Sequence, residues 1–236
     1  MKFRFLKTVL MLLAQVVSFG QPAMFREHTS NGYRHSVWVP AGYQEVWWPE
    51  SRGAKLRQES KAIFAAMRMP TSKFMAVLVK TKDLDNYEKG GNSPMKGHYI
   101  YISWFPAQKM PSNKELMNQF NGAVSNAGSL LQALKNDKDA GQFFRDHFPA
   151  GSMVPLGVLR NWKDGYIFSL AIGLEMTYQG HNGNTAKILS MAYQQGANGY
   201  WVVNYVTLQD YGAKFQASLD QATLVAKLLR SEPNKP

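Results

Sequence analysis

GYIFSLAIGLEMTY, running from Gly165 to Tyr178, decides the fold. Its large side chains Tyr166, Phe168, Leu170, Ile172, Leu174, Met176 and Tyr178 fall at every second position, and apart from Ile167 the residues between them are small or polar. A period of two puts alternate side chains on opposite faces of an extended chain, so the segment predicts a long strand with one buried face. The turn Gln179–Asn184 and a second run, Thr185 to Gln194, come next; the turn Gly196–Gly199 then leads into Tyr200–Leu208. Asn-Gly steps between β-rich runs are hairpin signals, because both residues tolerate positive φ. After Asp210, read as an N-cap, Tyr211, Phe215, Leu219, Ala222, Val225 and Leu229 recur every three or four residues, as on an amphipathic helix. The chain is therefore expected to end in a three-stranded antiparallel meander with a closing helix on one face.

Upstream, Arg34–Val39 has strand character and stops at Pro40-Ala41-Gly42, and Tyr43–Trp48 is a short extended piece stopped by Pro49. From Gly53 to Met69 the residues Leu56, Ile63, Phe64 and Met67 fit one face of a helix. Lys61–Met69 could instead form half of a hairpin with Phe74–Lys80, and the helix is the preferred reading of the first part. Phe74–Val79 is a strand, Asp83–Gly97 a surface loop, and His98–Phe105 a strand closed by Pro106. Ser112 and Glu115 have capping-box spacing ahead of the apolar stripe Leu116, Phe120, Ala123, Val124, Ala127, Leu131 and Leu134. A short helix is expected over Asp139–His147 and a strand over Met153–Arg160. Strands, a helical insertion, a meander and a helix make an α+β fold, an antiparallel sheet with helices packed on it. No internal repeat or dividing linker appears, so residues 34–232 are expected to form a single α+β domain behind a flexible arm at 21–33.

Residues 1–20 read as a signal peptide. Lys2, Arg4 and Lys7 give a charged start, Thr8–Val17 is mostly apolar, and Ser18 and Gly20 put small residues before a cut at Gln21. The apolar part is shorter than the ~20 residues of a membrane-spanning helix. No second run reaches that length, so no transmembrane segment is expected after cleavage, and the protein is placed in the periplasm or outside the cell. An uncleaved N-terminal anchor is the alternative. The chain has no cysteine, which excludes disulfides, thiol catalysis and cysteine-held metals. A 45% hydrophobic and 13% aromatic composition excludes a disordered chain. The formal charge is +11, from 27 Lys+Arg and 16 Asp+Glu; Lys2, Arg4 and Lys7 supply three of these, so the chain beyond residue 20 carries +8. Such a surface suits an acidic protein or an anionic envelope surface, nucleic acid being the less expected partner of an exported chain. It equally suits charge kept for solubility.

A signal peptide, early strands, a mid-chain helix, a long meander ending in Tyr200-Trp201-Val202-Val203-Asn204-Tyr205, and a closing helix that turns Tyr211, Phe215 and Leu219 inward resemble the PsbP/DcrB-like α/β/α sandwich proteins. The likeness covers roughly residues 34–230 as an order of elements. What the resemblance implies is that layered fold and an accessory or binding role, as in extrinsic photosystem subunits and bacterial envelope proteins, without enzymatic activity. It carries no motif that would give a residue a role.

Motifs for chemistry are sparse. There is no Gly-x-Ser-x-Gly elbow, and the Ser93-x-x-Lys96 spacing lies beside Pro94 in a loop without its companion motifs. His28, His35, His98, His147 and His181 are scattered, so no metal site is expected, and Gly90-Gly91 lacks the Lys-Ser/Thr of a phosphate loop, so no cofactor is expected. Asp83, Asp85 and Glu88 share a loop without completing a calcium-binding ladder. Two features remain. Adjacent Trp47 and Trp48 must point to opposite faces of a strand, so one is expected at the surface or under the N-terminal arm. Behind them runs the basic series Arg52, Lys55, Arg57, Lys61, Arg68, Lys73, Lys80 and Lys82. Aromatic plus basic residues dock acidic or anionic surfaces, so Trp47, Trp48, Arg52, Lys55 and Arg57 are the candidate partner-binding residues. The expected function is that of an exported, non-enzymatic accessory or binding protein of the bacterial envelope. A carrier of a lipid or small apolar ligand, and a hydrolase whose residues meet only in space, are the alternatives.

Overall fold

The computed structural model describes residues 22–30, 32–66, 69, 71–96, 98–125, 136, 152–178, 181–209 and 213–233. The expected signal peptide, Arg68, the helix expected over 139–147, and Asp210 and Tyr211 lie outside them. The strands are β1 (Met24–Ser30), β2 (Tyr33–Val39), β3 (Tyr43–Glu45), β4 (Phe74–Lys80), β5 (Tyr99–Pro106), β6 (Ser152–Trp162), β7 (Gly165–Tyr178), β8 (His181–Gly196), β9 (Gly199–Gln209) and β10 (Arg230–Pro233). The helices are α1 (Ala54–Ala66), α2 (Thr81–Glu88), α3 (Asn113–Ser125) and α4 (Ala213–Leu228).

The strand read from the period of two is β7, inside a seven-stranded sheet of order β3-β4-β5-β9-β8-β7-β6 whose pairings are all antiparallel. The expected meander is present, with β6 added to it as a fourth strand. The turn expected over Gln179–Asn184 is shorter. Asn182, Gly183 and Asn184 extend β8 and pair with Thr177, Met176 and Glu175, the ladder closing at Tyr178↔His181. Ladder pairing satisfies backbone groups that a wider turn would leave to solvent, and here it outweighs the local Asn-Gly preference. The second hairpin keeps its glycine for a reason of space. Gly199 has φ +146°, and a Cβ there would lie 2.2 Å from the Phe105 carbonyl oxygen and 2.9 Å from the Trp104 ring.

Alternation along the central strands divides the side chains between two faces. Leu78, Ile100, Ile102, Trp201, Val203 and Tyr205 point one way, against Leu219, Ala222, Val225 and Ala226 of α4 and Val37 and Val39 of β2. Val77, Val79, Tyr99, Tyr101 and Val206 point the other way, beneath Leu56, Ile63 and Phe64 of α1 and Leu84 and Tyr87 of α2. Farther along that second face Leu116 of α3 packs on Tyr166, Phe168, Tyr193, Tyr200 and Val202. Helices therefore cover both faces of an antiparallel sheet, the α+β sandwich expected. The α1 helix resolves the Gly53–Met69 ambiguity in favour of the helical stripe. The capping box forms as read: Glu115 accepts the Ser112 N–H at 2.7 Å, and the Ser112 hydroxyl accepts the Glu115 N–H at 3.3 Å.

Two further expectations are corrected. Residues 24–30, read as part of a loose arm, form β1, paired along its length with β2 in a three-stranded sheet of order β1-β2-β10. Its sequence MFREHTS shows no clean alternation, because His28 turns inward while Phe25, Arg26 and Glu27 are exposed. The loop expected from Asp83 begins instead with α2. Its apolar stripe is only Leu84 and Tyr87, one turn apart, too short to show as a period. No helix among the described residues is long and apolar enough to cross a membrane.

Between the small sheet and the large one lies His35, fully buried, its ring 5.9 Å from that of Trp104 and 5.3 Å from that of Trp201. Neither ring nitrogen, nor the Trp104 indole nitrogen, has a hydrogen-bond partner among the described residues. Burial lowers the His35 pKa to about 4, with the Ser30 backbone acting the other way and His28 adding to the lowering. The unfolded chain, with a histidine pKa of about 6.5, takes up this proton first as pH falls. The stability that neutral His35 supports is therefore complete above pH ~6.5 and declines down to about pH 4, by roughly 3 kcal/mol. His35→Phe removes the titration. Denaturant unfolding of both proteins at pH 7 and pH 4 is expected to show the difference moving by about that amount in the variant's favour; an unmoved difference would mean that His35 does not titrate in this window.

Candidate functional site

The segment singled out by sequence leaves the sheet where β3 ends. Trp47 and Trp48 do part to opposite sides. Trp48 is 3% exposed, donates its indole N–H to the Met75 carbonyl at 2.6 Å, and stacks on His28 of β1 at 5.0 Å. Trp47 is half-buried against Phe64 and Phe74, at ring separations of 5.9 and 5.4 Å. One indole is thus beneath the residues expected as an arm, and the other leans on α1. The basic residues are engaged as well. Arg52 pairs with Asp85, at 2.6 Å, and with Glu88 of α2, while Arg57 donates to the carbonyls of Trp48 and Ser51. Lys55 sits over Tyr87, Lys61 over Trp47 and Lys73 over Phe105, with the ammonium 4.9, 5.8 and 4.6 Å from the ring centres. Such cation–π contacts are worth about 0.5–1 kcal/mol each at exposed positions. The series tethers α1, α2 and the strand edges to one another.

Its last two members go elsewhere. Lys80 ends β4 and pairs in register with Tyr43 of β3, and Lys82 lies in the first turn of α2. The β4–β5 pairing at Val79↔Tyr99 sets His98 one step beyond, beside Lys80, and β9 places Tyr205 opposite Ile100. Across this end of the sheet α4 lays Ala217, Ser218 and Gln221. Together these eight residues line an open cleft of about 480 Å³. Its floor is a polar chain. The Tyr43 and Tyr205 hydroxyls are 2.9 Å apart, and the Gln221 side-chain oxygen accepts from Tyr205 at 2.9 Å and from Tyr43 at 3.2 Å. Two hydroxyl protons serve three contacts, and the two shortest fit a relay from Tyr43 through Tyr205 to Gln221. Burial raises both phenols above their ordinary pKa, and Tyr205 and the Asp83 carboxylate raise Tyr43 further, so both remain hydrogen-bond donors. Lys80 and Lys82 make no ion pair among the described residues.

The cleft holds two uncommitted cations and neutral donors, an arrangement that attracts an anion and orients it. Sequence reasoning named Lys80 and Lys82 only as the tail of a basic series. The others come from positions 43, 98, 205, 217, 218 and 221, with no spacing to link them. Ser93, of the Ser-x-x-Lys spacing, accepts the Met95 N–H at 3.2 Å and so shapes its own turn. Among the described residues no three His, Asp or Glu side chains are grouped to hold a metal ion.

Glu45 holds the tryptophan segment in place. Its carboxylate is 1% exposed and accepts the N–H groups of Trp47 and Trp48 and the Ser51 hydroxyl. Burial raises its pKa, and those hydrogen bonds partly restrain the rise. Glu45→Ala would leave two buried N–H groups unsatisfied and open a cavity, so a loss of about 3 kcal/mol is expected. Glu45→Gln keeps an acceptor, and the Ser51 hydroxyl can turn to accept, for a loss below about 1 kcal/mol. Urea unfolding of the two variants checks the order, and equal losses would contradict this role.

No protein-family model and no curated protein matches the chain. Among solved structures it is similar to the cyanobacterial PsbP of Synechocystis, at 8% identity over 90% of this chain and 95% of that one, with a TM-score of 0.41. It is also similar to the Ran-binding protein Mog1p of Saccharomyces cerevisiae, at 10% identity over 89% of this chain and 96% of that one, with a TM-score of 0.40. A PsbP is thus among the similar structures, as the order of elements suggested; the fold itself rests on the ladders and layers above, and no residue takes a role from either protein.

Proposed function

We propose that this chain is an exported, non-enzymatic binding protein of the bacterial envelope that holds an anionic group of its partner in the cleft of Tyr43, Lys80, Lys82, Tyr205 and Gln221. One observation carries the reading. Arg52, Lys55, Arg57, Lys61 and Lys73 are each engaged within the fold, while Lys80 and Lys82, without an ion pair among the described residues, line a concave space together with hydrogen-bond donors. Export rests on the charged, apolar and small-residue order of residues 1–20. The contact from Trp47 to Arg57 takes second place to the cleft, because its indoles and guanidinium groups already have partners.

The test is co-purification from the envelope with wild type and with Lys80→Gln/Lys82→Gln. The double variant is expected to fold, by circular dichroism, and to retain at most about a tenth of the partner held by wild type at low salt, since exposed charges act over ~8 Å at physiological ionic strength. Full retention would remove the cleft from the interaction.

His98 and Ser218 both line the cleft, and they are residue types that acyl transfer uses, so hydrolysis is the second reading. Turnover of p-nitrophenyl acetate that disappears in both His98→Ala and Ser218→Ala would put the enzyme in place of the binding protein. Turnover equal to that of buffer, or equal in all three proteins, leaves binding as the function.

A further inference from the structure

The cleft has a chemistry more specific than attraction of negative charge. Resting on its reading as an anion seat, we infer that the group it takes is a side-chain carboxylate presented by an acidic peptide segment of a protein partner.

The donors point to this class. Tight phosphate seats are commonly built from backbone N–H groups at helix starts and glycine-rich turns. Here α4 begins at Ala213 and meets the cleft with Ala217, Ser218 and Gln221, whose N–H groups already bond within the helix, and no glycine among the described residues lines the space. The polar groups that line it instead are two lysines, the tyrosine relay with Gln221, His98 and Ser218. Ammonium groups are mobile point charges that can follow a carboxylate in several poses, and a buried phenol gives a fixed direction for a hydrogen bond. The Tyr43–Tyr205 contact can also run with Tyr205 as donor; the Tyr43 proton, then aimed at Gln221 over 3.2 Å, is the one it can turn to a carboxylate oxygen.

The walls agree. The Tyr43 and Tyr205 rings, the Ala217 methyl and the lysine stems offer apolar surface beside the charges, as the methylene stem of a Glu or Asp requires. A space of about 480 Å³ is also larger than one carboxylate, leaving room for the backbone that carries it. The chain beyond residue 20 is basic, at +8, which steers an acidic segment toward it and repels a basic one.

The experiment is fluorescence anisotropy of fluorescein-labelled hexaglutamate in low salt, with hexaglutamine as control. Inorganic phosphate and phosphatidylglycerol vesicles serve as alternative probes. Hexaglutamate is expected to bind at least tenfold tighter than hexaglutamine, to lose at least tenfold with Lys80→Gln/Lys82→Gln, and to lose several-fold with Tyr43→Phe. The charge-matched pair Lys114→Gln/Lys163→Gln, both exposed and away from the cleft, is expected to bind as wild type does. Equal losses in the two double variants would reduce the effect to net charge and overturn the inference. If phosphate or vesicles bind in a manner dependent on Lys80 and Lys82 while hexaglutamate does not, the anion seat stands and the acidic peptide falls. If no probe depends on those lysines, both readings fall.

Discussion

A sheet buried on both faces has no side of its central strands to show to water, and the rest of this structure answers that constraint. In β4 the run Phe74 to Val79 is buried at every position, and in β5 so is Tyr99 to Trp104. Such strands read as continuous apolar runs, because both sets of alternating side chains need cover. Each buried aliphatic or aromatic side chain contributes about 1.5–3 kcal/mol relative to exposure, so the cover is energetically compulsory. On one face α1, α2 and α3 supply it, on the other α4 and the sheet β1-β2-β10. Polar chemistry is then confined to where cover stops. The cleft is such a place: β4 ends at Lys80, β5 has not yet begun at His98, and α4 crosses above.

How much of this was legible depended on the distance over which each signal acts. The period of two in Tyr166–Tyr178, the stripe Leu219, Ala222, Val225 and the box Ser112/Glu115 are local, and the strand, the helix and the cap all formed, although over Tyr166–Ser169 the strand is buried on both faces where the period predicted one. The α2 helix was missed because one turn of stripe, Leu84 and Tyr87, sits among charged residues that resemble a loop. The strand β1 was missed because its pairing with β2 and the stacking of His28 on Trp48 depend on residues not adjacent to it in sequence. Asn182-Gly183 misled for the opposite reason, a strong local turn preference overridden by a long ladder. The cleft was the least legible, since Tyr43, Lys80, His98, Tyr205 and Gln221 meet only after four strands and a helix are in register.

The basic series shows why composition is a poor guide to a binding face. Arg57 stitches two carbonyls, Arg52 bridges Asp85 and Glu88, and three lysines lie over aromatic rings, so most of that charge works within the molecule. Exposed ion pairs of the Arg52 kind contribute only ~0–1 kcal/mol. Several such ties together nevertheless fix α1 and α2 against the sheet edge that shapes one wall of the cleft. The position of Lys82, in the first turn of α2, depends on them.

The cleft residues divide into two kinds, and the division bears on how an occupant would be felt by the whole chain. Tyr43 and Tyr205 are core residues, each 5% exposed, packed with Leu78, Ile100 and α4 as well as forming the floor. Lys82 is exposed, on the rim. A rim charge chiefly governs encounter and salt dependence, whereas a rigid buried donor governs orientation and residence. Because the floor links β3, β9 and α4 through Gln221, an occupant bonded to Tyr43 binds the folded chain and has no counterpart site in the unfolded one. Any ligand of that kind stabilises the fold by mass action, about 2.7 kcal/mol at a hundred times its dissociation constant. Occupancy and folding of the chain are thus thermodynamically coupled, without a lid or a hinge being required.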